Sequence, residues 1–336
     1  MRCRVPSKRI FPVVLLALCS AICSGEGSEA AGFYPLIYFG RVLIADASDL
    51  SVRSVGSLAF AAPAVAADSQ GRIWGRLEPG SLGALDPASG RLVARVALPH
   101  KPYNHLITPQ GKAYVTHSAL TREGFTLSVV DTRRAALLRE LTGIAGLRTD
   151  LAQASGFVYL AAVGVRSENN LQPYLYQIDT DTDLLREVLH AGDTGFFWKL
   201  AAADGRLYLG YLPSKGEKRN GRVEVRDARS LEVLGVREMA PGPLRGLYAD
   251  PREVLLFCEG GGGRTVILVM DPLLAAAPKV LAAEGPVARV LGVDGRILVY
   301  LDYPFESGYR EVSVRFYDLA IGKEVKRIRL DGLKDN

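Results

Sequence analysis

Seven aspartates divide the chain almost evenly: Asp46, Asp86, Asp131, Asp179, Asp227, Asp271 and Asp318, at intervals of 40, 45, 48, 48, 44 and 47 residues. Each closes a short β-rich run, namely VLIAD, LGALD, LSVVD, YQID, VEVRD, ILVMD and RFYD. A period of about 40–50 residues with several strands per repeat is that of a β-propeller, one repeat per blade. An aspartate at a strand end caps the next turn by accepting backbone N–H groups two residues on. Seven copies spread around a ring cannot converge on one site, so they read as structural.

The clearest unit runs from His105 to Leu141, with HLITP, KAYVTH, TLSVVD and ALLRELT as four successive strands. The same order recurs five more times. The turn between the first two strands holds Gly71, Gly111, Gly156, Gly205 and Gly295, and only Asp250-Pro251-Arg252 departs from this. Tight hairpin turns demand φ > 0, which glycine adopts without steric cost. Second strands such as GFVYLAA and EVLLFCE are almost wholly apolar, as strands covered on both faces should be, whereas fourth strands such as EVKRIRL carry charge. Residues 33–58 supply only three strands. The expected fold is all-β, a seven-bladed propeller of four-stranded blades over 33–330, its first blade one strand short and followed by a tail at 331–336. The alternative is six blades preceded by an N-terminal extension.

The stretch ITPQGKAYVTHS, with VVDT at 129–132 and QIDT at 177–180, resembles the YVTN-type propeller repeat of exported bacterial and archaeal proteins. The likeness spans the chain as a period and is sharpest in this one blade. It implies the propeller fold, similar to that of quinoprotein amine dehydrogenase heavy chains, and carries no universal active site.

Before the repeat, Arg2, Arg4, Lys8 and Arg9 precede an apolar stretch from Ile10 to Ile22 and then small residues around Cys23. This reads as a signal peptide over 1–23 followed by a linker over 24–32. The stretch is short of the roughly 20 residues of a membrane span. An uncleaved membrane anchor, or lipid attachment at Cys19 in Leu16-Ala17-Leu18-Cys19, are the alternatives to a periplasmic or secreted protein. The formal charge of +5 resides mostly in this segment: without its four basic residues, 37 of the 41 remain against 36 acidic ones. Near neutrality argues against nucleic acid as a partner. Cys258 is the one cysteine after the segment, so stability must come from core packing rather than disulfides.

Loops between second and third strands are long (116–124, 164–173, 212–221 and 302–310), as are two joining blades (99–104 and 190–198). All fall on one rim, and binding residues concentrate on elaborated loops. The rim candidates are Tyr103, His105, His117, Arg148, Arg166, Trp198, Arg219, Arg245, Tyr303 and Arg310, aromatics and arginines of the kind that dominate interfaces. Phe197 and Trp198 can equally begin an inner strand.

A two-residue turn at Gln110-Gly111 would set Asn104 opposite His117 and His105 opposite Thr116, both imidazoles near the rim. With His100 they form a cluster short of the ligands a zinc site needs, so a structural pair is expected and no metal or cofactor is called for. Gly260–Gly263 lacks the Lys-Ser/Thr of a P-loop, and Cys258 reads as an inert core thiol. The first strands offer Asp150, Arg148, Arg245 and Arg289, a set better matched to an anionic ligand than to calcium. The expected function is a monomeric, non-catalytic binding or scaffold protein for a partner protein, glycan or small ligand. The alternative is an enzyme resembling propeller lactonases or quinoprotein dehydrogenase subunits.

Overall fold

A computed structural model describes residues 33–39, 41–57, 60–117, 125–167, 170–190, 196–212, 221–239, 244–260, 264–283, 287–302 and 312–333. It contains seven antiparallel sheets. Blade 1 holds β1 (Phe33–Tyr38), β2 (Arg41–Asp46) and β3 (Ser51–Ser57). Blade 2 holds β4 (Phe60–Ala67), β5 (Ile73–Leu77), β6 (Ser81–Asp86) and β7 (Arg91–Ala97), and blade 3 holds β8 (Pro102–Ile107), β9 (Lys112–His117), β10 (Phe125–Asp131) and β11 (Ala136–Ile144). Blade 4 comprises β12 (Leu147–Ala154), β13 (Phe157–Ser167), β14 (Asn170–Asp179) and β15 (Leu185–His190). Blade 5 comprises β16 (Phe196–Ala203), β17 (Arg206–Leu212), β18 (Arg222–Asp227) and β19 (Val233–Glu238). Blade 6 comprises β20 (Leu244–Ala249), β21 (Val254–Glu259), β22 (Thr265–Met270) and β23 (Lys279–Ala283). Blade 7 comprises β24 (Val287–Asp294), β25 (Ile297–Asp302), β26 (Ser313–Asp318) and β27 (Lys323–Arg329). The first strands touch in order around the ring, and β24 meets β1 to close it. The chain is a seven-bladed β-propeller. Among the described residues no helix is long and apolar enough to cross a membrane.

The core is built between blades. Seven apolar clusters form, one per blade interface. Period-2 alternation produces them. Along β13, Val158, Leu160 and Ala162 enter the cluster shared with blade 3, while Tyr159 and Ala161 enter the one shared with blade 5. Hence the second strands must be largely apolar on both faces. The outer strands have one neighbour fewer; β19 and β27 are exposed at most positions.

All seven recurring aspartates accept the N–H two residues on, for example Asp131 from Arg133 at 2.8 Å and Asp227 from Arg229 at 2.9 Å. These bonds hold the carboxyls of Asp86, Asp179, Asp227 and Asp271 below the usual carboxylate range, led by the Ser89 hydroxyl at Asp86 and by backbone N–H groups at the other three. Three or four residues after each aspartate a residue lies in the left-handed region: Leu50, Gly90, Ala135, Asp183, Leu231, Leu274 and Gly322. Only two of the seven are glycine, so the cap stabilises a backbone that most side chains disfavour.

The same turn shows which strand blade 1 lacks. In blades 2–7 the aspartate ends the third strand, but Asp46 ends β2, opposite Phe33 of β1. Packing agrees: Leu36 of β1 faces blade 7 and Ile37 faces blade 2, as Leu160 and Ala161 of β13 face blades 3 and 5. Thus β1, β2 and β3 are second, third and fourth strands, and among the described residues no strand takes the innermost place.

Tyr208 of β17 donates to the Pro272 carbonyl in the capped turn of blade 6 at 3.0 Å. Tyr208→Phe should cost about 1 kcal/mol by removing this bond, and Tyr208→Ala roughly 3–5 kcal/mol by adding a cavity. Urea denaturation of the two variants reads the difference; equal losses would mean the hydroxyl contributes nothing.

Candidate functional site

Each innermost strand runs from the elaborated rim towards a short turn, so the N-terminal halves of β8, β12, β16, β20 and β24 lie at the rim end of the ring's inner wall. In all five the ladder slips by one residue at the same level: between Pro102 and Asn104, Arg148 and Asp150, Phe197 and Lys199, Leu244 and Gly246, and Val287 and Arg289. A bulge of this kind re-aims side chains and recurs beside functional sites. Tyr103, Thr149, Trp198, Arg245 and Ala288 are the extra residues.

Just past the bulge the equivalent wall positions carry Asn104, Asp150, Lys199, Gly246 and Arg289. Asp150 and Lys199 are each only 2% exposed. The Asp150 Oδ2 atom accepts the Leu200 N–H of the next blade at 3.0 Å and Oδ1 accepts the Leu151 N–H at 3.1 Å. Burial raises its pKa from 3.8 to about 6, against the opposing pull of the Lys199 ammonium and these two N–H groups. His105, 3% exposed, turns its Nε2 to the Trp74 carbonyl at 3.2 Å. Burial lowers its pKa to about 4, and the Arg289 charge pushes the same way. Its imidazole is therefore neutral at pH 7. The wall thus combines two cations, one titratable carboxyl and neutral amide and imidazole groups.

The structure corrects the expected histidine geometry. The turn after β8 holds three residues, closed by Thr108 N–H to the Lys112 carbonyl at 2.8 Å. Together with the bulge at Tyr103 it sets Asn104 opposite Thr116, His105 opposite Val115 and His117 opposite Pro102. His105 and His117 consequently part company. His117, fully buried, meets the Ser128 hydroxyl at 2.8 Å and the edge of His100, ring centroids 5.4 Å apart. A serine–histidine bond can activate a nucleophile; here both partners are fully buried.

A second correction concerns the 164–173 loop. Val165 pairs with Leu171 and Ser167 with Asn170, so the β13–β14 hairpin extends through most of it. The 99–104 loop is likewise shortened, since β8 begins at Pro102.

Of the remaining rim candidates, Tyr103 is half-buried in its bulge and Arg245 is exposed. Arg245 Nε bonds Glu259 at 2.9 Å, a partner not foreseen from sequence. Arg148, Arg166 and Trp198 have backbones in β12, β13 and β16, which makes Trp198 part of an inner strand. Their side chains lie outside the described part of the structure, and Arg219, Tyr303 and Arg310 lie outside the described residues. Several other described cations towards this rim are paired: Lys101 with Glu78 at 2.9 Å, Arg222 with Glu224 at 2.9 Å, and Arg315 with Asp302 and Glu324. Lys199 and Asn104 belong to the wall and were not among the sequence candidates. Their only signal is a position five to seven residues ahead of the first-to-second-strand turn.

Among the described residues no three His, Cys, Asp or Glu side chains come together to hold a metal. Gly260 N–H bonds the Arg264 carbonyl at 2.8 Å, closing a hairpin. Cys258 is buried in the blade 5–6 core, and burial pushes its thiol up to about 12.

No protein-family model matches the chain, and no curated protein does either. Solved structures do. Hydrazine synthase of Kuenenia stuttgartiensis matches at 15% identity and a TM-score of 0.62, over 82% of this chain and 89% of that one. Dihydro-heme d1 dehydrogenase NirN, in complex with DHE, matches at 14% and 0.56, over 90% and 75%. A chain of the mitotic checkpoint complex matches at 12% and 0.63, over 89% and 94%. At such identities the likeness establishes the propeller fold alone.

Two outcomes follow from the buried groups. Asp150 has a folded pKa above its unfolded value, so its contribution is full below pH 4 and lost as pH rises to about 6. Asp150→Asn should remove that loss: its stability relative to wild type increases from pH 4 to pH 6 in urea titrations, whereas a constant difference would contradict the assignment. Cys258 should resist a water-soluble thiol reagent at pH 8 until urea unfolds the chain, as peptide mapping would record.

Proposed function

We propose that this chain is an exported, non-catalytic β-propeller that binds a partner protein, a glycan or a small ligand at its long-loop rim, with an acidic group of the ligand held at the channel mouth. The observation carrying this reading is the bulge repeated in five inner strands at the rim end, past which Asp150, Lys199 and Arg289 hold equivalent ladder positions, two cations and one carboxyl. A supporting fact is the segregation of capped, tight turns to the opposite face. Export rests on the charged and apolar N-terminal segment, and kinship with YVTN-type propellers on the ITPQGKAYVTHS repeat.

Thermal unfolding against an array of glycans, acidic peptides and small carboxylates tests it. At a ligand concentration 100-fold above Kd, stabilisation should reach about 2.7 kcal/mol, and Arg219→Ala with Arg289→Ala should abolish it. A chain that no ligand stabilises, and that instead turns over a lactone or another substrate, would overturn the reading.

A further inference from the structure

Blade 1 is joined to its neighbours differently from the other blades. In blades 3 to 5 a second-strand side chain donates to the capped turn of the next blade. The donor is the residue opposite the capping aspartate, as with Lys112, or the one two positions on, as with Tyr114, Tyr159 and Tyr208. Counted the same way, blade 7 offers Ile297 and Val299, and blade 1 offers Phe33 and Pro35. None of these four side chains carries a donor, so neither seam of blade 1 can form this bond.

The seam with blade 7 is closed by another element. After β27 the chain turns at Leu330–Leu333, where the Leu333 N–H meets the Leu330 carbonyl at 3.4 Å. Leu330 is fully buried and donates its N–H to the Val312 carbonyl, just ahead of β26, at 2.9 Å. Both leucines pack into the cluster that joins Leu36 and Leu43 of blade 1 to Val314 and Phe316 of blade 7. Arg41, the first residue of β2, donates from Nη1 to the Leu333 carbonyl at 2.8 Å. Tyr38, opposite Arg41 in the β1–β2 hairpin, senses the same turn: burial raises its pKa, and Asp331 adds to the rise while Arg41 and Arg329 oppose it. Elsewhere the seam is apolar contact, as where Tyr34 of β1 packs over Gly292 of β24, a place where a Cβ would collide with its ring.

We propose that the turn Leu330–Leu333 is a latch that closes the ring at the long-loop rim, holding the β1–β2 hairpin to blade 7 in place of the missing anchor. Blade 1 is then the most weakly tied unit of the ring, and release of the latch frees β1, β2 and β3 together while blades 2 to 7 stay folded. Residues 331–333 accordingly belong to the propeller rather than to a tail. The inference concerns ring closure and stands whether or not the inner wall binds a ligand.

Hydrogen exchange of the full-length chain, read by mass spectrometry, tests it. Arg41→Ala, or deletion of residues 331–336, should speed amide exchange of β1, β2 and β3 tenfold or more while β13 and β21 stay within twofold of wild type. Arg41 and the turn act as one unit, so adding Arg41→Ala to the deletion should speed β1 by no more than a further twofold. Arg41→Lys, which keeps a donor, should fall between wild type and alanine. Arg41→Ala leaves both leucines in place and decides the matter if the deletion unfolds the whole chain. Three results would overturn the proposal: β1 exchange unchanged in Arg41→Ala, β13 and β21 accelerating as much as β1 in that variant, or the two changes multiplying in a combined chain that stays folded.

Discussion

The ring depends on a handoff between neighbours, in which a second strand of one blade anchors to the capped turn of the next. Arg72 donates to the Thr132 carbonyl at 2.6 Å, Lys112 to the Thr180 carbonyl at 2.7 Å, and Tyr114 to Asp183 at 2.7 Å. Tyr159 reaches the Ala228 carbonyl and Tyr208 the Pro272 carbonyl. In blade 6 an outer-strand residue, Lys279, takes over this role towards the Leu319 carbonyl at 2.8 Å. These carbonyls are available because each aspartate occupies the N–H groups of its turn and fixes the left-handed residue that follows. Each bond is worth about 1 kcal/mol net. They tie blades 2 to 7 together in succession, while the apolar clusters between blades provide the larger share of stability.

This explains why the architecture was legible from sequence and why the site was not. The aspartate is demanded by a local turn, so it recurs with the repeat and can be counted. Apolar second strands are demanded by burial on both faces, so they too recur. The inner-strand bulge is a property of backbone registry, with Tyr103, Thr149, Trp198, Arg245 and Ala288 as its extra residues, and no residue type marks it. Asp150 and Lys199 are 49 positions apart and are neighbours only because adjacent blades lie side by side. The histidine register failed for a related reason: Gly111 fits a two- or a three-residue turn equally well, and each shifts the facing residues by one.

Positive φ at Leu50, Ala135, Asp183, Leu231 and Leu274 carries a similar lesson. Glycine is the usual marker of such positions, yet at five of seven turns it is absent. At Asp183 the reason is visible: the residue that adopts the left-handed conformation also receives Lys112 and Tyr114 from blade 3. A side chain is needed there for the handoff, and glycine could not supply it. The cost of the backbone conformation is offset by an ion pair and a hydrogen bond that lock two blades together.

The two faces of the ring are thereby put to different uses. Capped turns and interblade anchors occupy one end, where any change would disturb a neighbour as well as its own blade. At the other end the described ion pairs close within single blades or between adjacent loops, as Arg245 does with Glu259, so sequence there can vary without loosening the ring. The inner wall lies between these regimes. Its backbone is fixed by the ladders and the repeated bulge, but the residue past the bulge differs in each of blades 3 to 7: Asn104, Asp150, Lys199, Gly246 and Arg289. A rigid frame presenting a different residue from each of five blades has the form of a preorganised recognition surface, and there, more than on any single rim loop, the proposed binding would be decided.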